Sequence, residues 1–122
     1  MRSEPSPREP GADLLDHLLG SLLNDFRIWF DRGEVLLDHC TDGVMPLQEQ
    51  ENLRRALQQA RQELIAASSL RQATPAPVAL GLETLAPWHL LVMRVWSLSA
   101  QLRSHGIALP QLVWPEPPAF HG

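Results

Sequence analysis

The sequence predicts an all-α fold: a three-helix antiparallel bundle with a disordered N-terminal leader and an extended, Pro-rich C-terminal arm. Three observations predict it. In three separate stretches apolar residues recur at alternating steps of four and three, the spacing of one helix face. Breaks bearing proline and glycine separate those stretches. Prolines also crowd both ends of the chain, where a helix could not continue.

Residues 1–12 carry three prolines, several charges and no large apolar residue after Met1, which reads as a disordered leader. The helical domain is expected over 13–106, with helices at about 13–40, 46–72 and 87–105. In the first, Asp13 reads as the N-cap, with Asp16 three residues on as a weak capping box. Its seam is Leu15, Leu19, Leu22, Phe26, Trp29, Gly33, Leu36 and Cys40, widened by Leu18, Leu23, Phe30 and Leu37. Asp13, Asp16, His17, Asn24, Arg27, Asp31, Glu34 and Asp38 make the opposite face. Gly33 is the small residue that admits a neighbouring helix. "TDGVMP", Thr41 to Pro46, ends the helix.

Pro46 suits the first turn of the second helix. Its stripe, Leu53, Leu57, Ala60, Leu64 and Ala67 with Ala56 beside it, is narrow and small enough for close approach. Glu51 with Arg54 and Arg55 should form pairs within the helix, together worth roughly 0.5 kcal/mol. Ala73 to Pro87 reads as a linker, long for a helix–helix connection, with a short strand as the alternative. The third helix should start near Pro87 and stop at Gly106. It should bury Trp88, Leu91, Val92, Val95, Leu98, Ser99 and Leu102. Residues 107–122 form a Pro-rich tail that still carries Leu109, Leu112, Val113, Trp114 and Phe120.

Composition narrows the function classes. The chain has 122 residues, the size of one domain, and a formal net charge of −4, so it offers no global basic field to nucleic acid. All ten basic side chains are Arg, which reads as codon bias in a GC-rich genome. One cysteine, Cys40, excludes an intramolecular disulfide. The N-terminus has no apolar run of a secretory signal, and the most apolar stretch, Trp88 to Leu98, is too short for a membrane span. A cytoplasmic protein is expected.

Motifs of chemistry are missing. There is no Gly-x-Ser-x-Gly, Ser-x-x-Lys, P-loop or Gly-x-Gly-x-x-Gly. His39 beside Cys40 lacks the further ligands a zinc site needs, and Glu-x-x-His, the mark of di-iron bundles, does not occur. Cys40 reads as a buried structural thiol. Asp31, Glu34 and Asp38 share a helix face, and a carboxylate row of this kind reads as a solvated surface. The sequence thus predicts no enzyme, no cofactor and no metal.

Three sets of residues stand out. Asp25 and Arg32 flank Trp29 at the margin of the first helix, and His89, Trp96 and Arg103 step by seven along the margin of the third. Half-buried charges need partners, so Asp25 or Arg32 is expected to pair with His89 or Arg103. Phe26, Trp29, Phe30, Trp88 and Trp96 form an aromatic core or, in a second reading, a pocket for a small molecule or pigment. Ile28, Val35, Leu90 and Met93 fall outside the stripes and are expected to form an interaction patch, unless the tail covers them.

"LLGSLLNDFRIWFDRGEVLL" and "LAPWHLLVMRVWSLSAQLR" resemble the two aromatic blocks, D-F-x-x-W-F-x-R and W-H-x-L-V-x-x-x-W, of a small cyanobacterial protein family of unknown function. The matching positions are Leu22, Leu23, Asp25, Phe26, Trp29, Phe30 and Arg32, then Trp88, His89, Leu91, Val92, Trp96 and Arg103. The resemblance covers about residues 14–104. It implies a helical fold and a cyanobacterial source, and it assigns no activity. The leading expectation is a non-enzymatic interaction or adaptor protein whose partner is another protein or a second copy.

Overall fold

A computed structural model of the protein describes residues 10–73 and 81–110. Three helices follow one another: α1 (Pro10–Asp38), α2 (Leu47–Ala73) and α3 (Leu82–Ser104). No strand occurs among the described residues. α1 is the central element, packing along both α2 and α3, while α2 and α3 touch each other only slightly. The α-helical bundle expected from the apolar spacing is therefore the fold.

The helix boundaries differ from expectation at four points. α1 begins at Pro10, so Asp13 lies inside the first turn. There it faces the helix dipole as an in-helix carboxylate, where an N-cap was expected. α1 ends at Asp38, and His39 and Cys40 close it with tighter bonds, their N–H groups donating to the carbonyls of Leu36 (3.0 Å) and Leu37 (3.1 Å). Pro46 sits just outside α2, its carbonyl accepting from Gln50 N–H at 3.0 Å. α3 starts five residues before Pro87, capped by Gly81 in extended backbone, whose carbonyl accepts from Thr84 and Leu85. Pro87 leaves the Glu83 carbonyl without its helical donor. Glu83 is exposed in the first turn, where water can serve that carbonyl. The Ala73–Pro87 segment is thus helical from Leu82 onward, and Val78 and Leu80 lie outside the described residues.

Gly106 ends α3 as a glycine should. Its φ is +73°, and Ile107 N–H donates to Leu102 O at 3.0 Å while Gly106 N–H donates to Arg103 O at 2.9 Å. These two bonds make a Schellman motif, and Ile107 packs back on the core as such motifs favour. Leu109 packs there too, so the first residues of the tail lie on the bundle. Trp114 and Phe120 lie outside the described residues.

The core follows the stripes closely. All seven expected α3 positions are buried, as are Leu53, Leu57, Ala60 and Leu64 of α2. On α1 the seam is buried at Phe26, Trp29, Gly33 and Leu36 and partly buried at Leu19, Leu22 and Cys40. Leu15 and Leu18 are a correction: they are 64% and 52% exposed. Asp16 pairs with Arg71, near the end of α2, so Leu15 lies past the helix that would cover it.

A second correction concerns the acidic face of α1. Asp31, Glu34 and Asp38 do not form a merely solvated row, because arginines of α2 cross to them. Arg61 forks onto Asp31 (3.2 Å) and Glu34, Arg54 reaches Asp38 (3.2 Å), and Arg71 pairs with Asp16 (3.2 Å) while also donating to the Asp16 carbonyl. As the α1 partner moves forward along the chain the α2 partner moves back, so the ladder fixes the antiparallel register. The pairs expected within α2 give way to it: Arg54 leaves Glu51 for Asp38, and Arg55 donates to Asn52. Arg71 lies flat over Gly20, where a Cβ would come within 2.7 Å of its guanidinium.

Candidate functional site

The aromatic residues divide into a closed cluster and an open pair. Phe26, Phe30 and Trp88 pack ring on ring, with centroids 5.4 Å apart for Phe26–Trp88, 5.8 Å for Phe26–Phe30 and 6.3 Å for Phe30–Trp88. All three are buried. The Trp88 indole N–H donates to Glu63 Oε1 of α2 at 3.2 Å, which gives the buried ring's polar atom a partner across the sparse α2–α3 contact. Sequence reasoning missed Glu63, because nothing in its own helix marks it.

Trp29 is buried, but its neighbour Trp96 is not. The two rings stand 5.8 Å apart at 32°, and Trp96 remains 49% exposed. Trp96 therefore belongs to the margin of the bundle more than to its core. A cleft of about 150 Å³ opens beside the pair, lined also by Ser99, Ala100 and Arg103.

The polar margin of α1 and α3 lies beside this cleft, which Arg103 lines. Asp25, Arg32 and His89 are half-buried and Arg103 is exposed. Arg32 Nε is buried without a hydrogen-bond partner among the described residues. A ladder of cross-helix ion pairs lies on the α2 side of α1.

A larger groove of about 480 Å³ runs on that side, between α1 and α2. Arg27, Arg61 and Arg71 line it over a floor that includes Leu23 and Leu64. Arg61 and Arg71 are already paired with Asp31, Glu34 and Asp16, so the groove carries little free positive charge. His39 and Cys40 do not converge on a site. His39 Nδ1 engages the Val35 carbonyl at 2.9 Å, and Cys40 packs against the core. Burial and the nearby Asp42 push the Cys40 thiol above its usual range, against a smaller opposing effect of the Thr41 backbone. Among the described residues no group of three or more His, Cys, Asp or Glu side chains is placed to hold a metal ion, and no helix is long and apolar enough to cross a membrane.

The expected interaction patch separates into two parts. Ile28 and Val35 of α1 are half-buried. Leu90 and Met93 of α3 are 64% and 43% exposed, and Trp96 joins them on the next turn. Ala86, Ser97, Ala100 and Ser104 extend this surface along α3, each exposed. The outer face of α3 thus carries a strip of uncharged residues with three large apolar side chains at its middle, Arg94 exposed at its flank and Glu83 at its N-terminal end.

No curated protein and no solved structure matches the chain significantly. One family model does match, over residues 9–104, and that span takes in all three helices and both aromatic blocks. The chain belongs to the family described as protein of unknown function DUF2605.

Proposed function

We propose that this is a non-enzymatic helical interaction protein of the cyanobacterial cytoplasm, and that it meets a protein partner through the outer face of α3. One observation carries the reading: Leu90, Met93 and Trp96 lie exposed together on a helix that packs fully on only one neighbour. Large apolar groups on successive turns of one helix face are the usual anchors of helix-mediated recognition. The cyanobacterial source rests on the two aromatic blocks.

The rival reading is a small-molecule or pigment-binding bundle. Phe26, Phe30 and Trp88 weigh against it, since they are buried against one another. The cleft beside Trp29 and Trp96, about 150 Å³, is about half the lower limit for pockets that enclose a drug-sized ligand.

The test is recovery of partners by tagged protein expressed in its native host. Leu90→Glu with Met93→Glu should abolish recovery of specific partners, while Ile28→Asp with Val35→Asp should reduce it less. Partners retained at full yield by the α3 variant would refute the assignment of the surface. An absorption spectrum of the purified native protein with a bound chromophore would favour the rival.

A further inference from the structure

We infer that the partner of α3 is α3 of a second copy of this chain, packed antiparallel along a seam of Ala86, Leu90, Met93, Ser97, Ala100 and Ser104. The inference rests on the reading of the outer face of α3 as an interaction surface, and it names the occupant.

The seam has the spacing of a helix-pairing interface. Its residues step by four, three, four, three and four, the 3.5-residue repeat that keeps one line of side chains facing another helix. Every one of the six is exposed, and none carries a charge. The α3 positions that face inward, Trp88 to Leu102, are already buried, so the seam is a second face with no function in the bundle's own core.

The seam is complementary to itself in one orientation. With a two-fold axis between Leu90 and Met93, Leu90 of one copy meets the partner's Met93, and each small Ala86 meets the partner's Ser97. The four largest side chains then share the centre, the Ala86–Ser97 pairs beside them let the helices approach closely, each Ala100 faces the partner's Glu83, and Ser104 lies beyond the start of the partner's α3. Such an isologous contact closes on itself as a dimer.

Charge selects the same orientation. α3 carries Glu83 in its first turn and Arg103 in its last. An antiparallel pair brings Glu83 within a helical turn of the partner's Arg103 at both ends. A parallel pair would set Glu83 against the partner's Glu83, a like-charge contact on the seam line itself. The helix dipoles favour the antiparallel arrangement as well.

The purified full-length chain tests this by sedimentation equilibrium and by cysteine cross-linking. The wild-type protein should dimerise reversibly, and Leu90→Glu with Met93→Glu should weaken the dimer at least about 30-fold, the effect of losing central anchors. Helicity by circular dichroism should be unchanged, since both positions are exposed. In a Cys40→Ser background, Ala86→Cys combined with Ser97→Cys should give a disulfide-linked dimer, and Ala86→Cys alone should not. These two small surface substitutions keep the test open even if the glutamate variant misfolds. A wild-type chain that stays monomeric at all attainable concentrations overturns the inference, as does a dimer that survives the glutamate changes. Efficient cross-linking by Ala86→Cys alone overturns the antiparallel register. A monomeric chain that still recovers an α3-dependent partner from its host would refute self-pairing and leave the wider reading of the α3 face standing.

Discussion

Val95 Cγ2 lies 2.7 Å from the point where a Cβ on Gly33 would sit, and Leu57 Cδ1 lies 2.8 Å from it on the other side. All three helices therefore converge on one missing side chain. Gly33 costs α1 about 1 kcal/mol of helix propensity relative to Ala. That cost is offset by the close packing of Val95 and Leu57, both fully buried. Gly33→Ala should nevertheless destabilise the protein by about 1 kcal/mol, because overpacking of about 1–3 kcal/mol exceeds the propensity gain. Val95 is stiff at χ1 and cannot swing aside as a leucine tip can. Adding Val95→Ala should recover part of the loss, so the double variant should be about 1 kcal/mol better than the sum of the singles in a denaturant cycle. Strict additivity would show that the site does not couple the two helices.

The ladder between α1 and α2 should matter modestly and in a salt-dependent way. Arg61 and Asp31 are both about two-fifths exposed, and Glu34 about a quarter, so solvent screens the fork. Arg61→Gln should cost about 1 kcal/mol at low salt, and most of that difference should vanish at high salt. A cost unchanged by salt would assign Arg61 a packing role through its aliphatic stem.

The Trp88–Glu63 bond predicts an order among substitutions. Glu63→Leu leaves the N–H of a buried indole without an acceptor and should cost about 1–2 kcal/mol. Glu63→Gln keeps an acceptor oxygen and should cost less. Equal losses in thermal or denaturant unfolding would mean that water replaces the bond at no expense.

Cys40 supplies the pH dependence. Its pKa is raised above the usual thiol range, chiefly by burial and then by Asp42. The folded state therefore holds the thiol proton more tightly than the unfolded chain. The resulting stability is fully present below the unfolded thiol pKa and is lost as the pH rises through the folded one. Alkylation of Cys40 in the native protein should have its midpoint above that of the unfolded chain, and Asp42→Asn should bring it down. A native midpoint at or below the unfolded value would contradict the assignment.

How much of this was legible in the sequence follows from what each helix knows about its neighbours. The inward face of α3 was readable from Trp88 to Leu102, because a single 3.6-residue period dominates there. Gly33 was readable as a point of close approach for the same reason. The exposure of Leu15 was not, since α1 carries no sign of where α2 ends. Nor was the ladder: Asp31 and Glu34 look solvated on a wheel of α1 alone, and only the docking side of α2 turns that flank into a contact. Glu63 is one polar residue among several on α2, and its role depends on Trp88 from another helix. Of the candidate surface, Leu90 and Met93 were visible as apolar residues off the stripe. The polar seam members, Ser97 and Ser104, become meaningful only once α3 is seen to have an uncovered side.

The claim that the outer face of α3 pairs with a second copy of the chain is tested most directly by the methyl resonance of Met93. Met93 stands at the middle of the exposed strip, while Met45 packs against the core at the α1–α2 turn and serves as the internal reference. With methyl-labelled methionine, a concentration series in the full-length chain should shift or broaden the Met93 signal and leave Met45 in place. A Met93 signal that stays fixed while Met45 moves would put the contact on another surface, and two fixed signals would contradict pairing through α3.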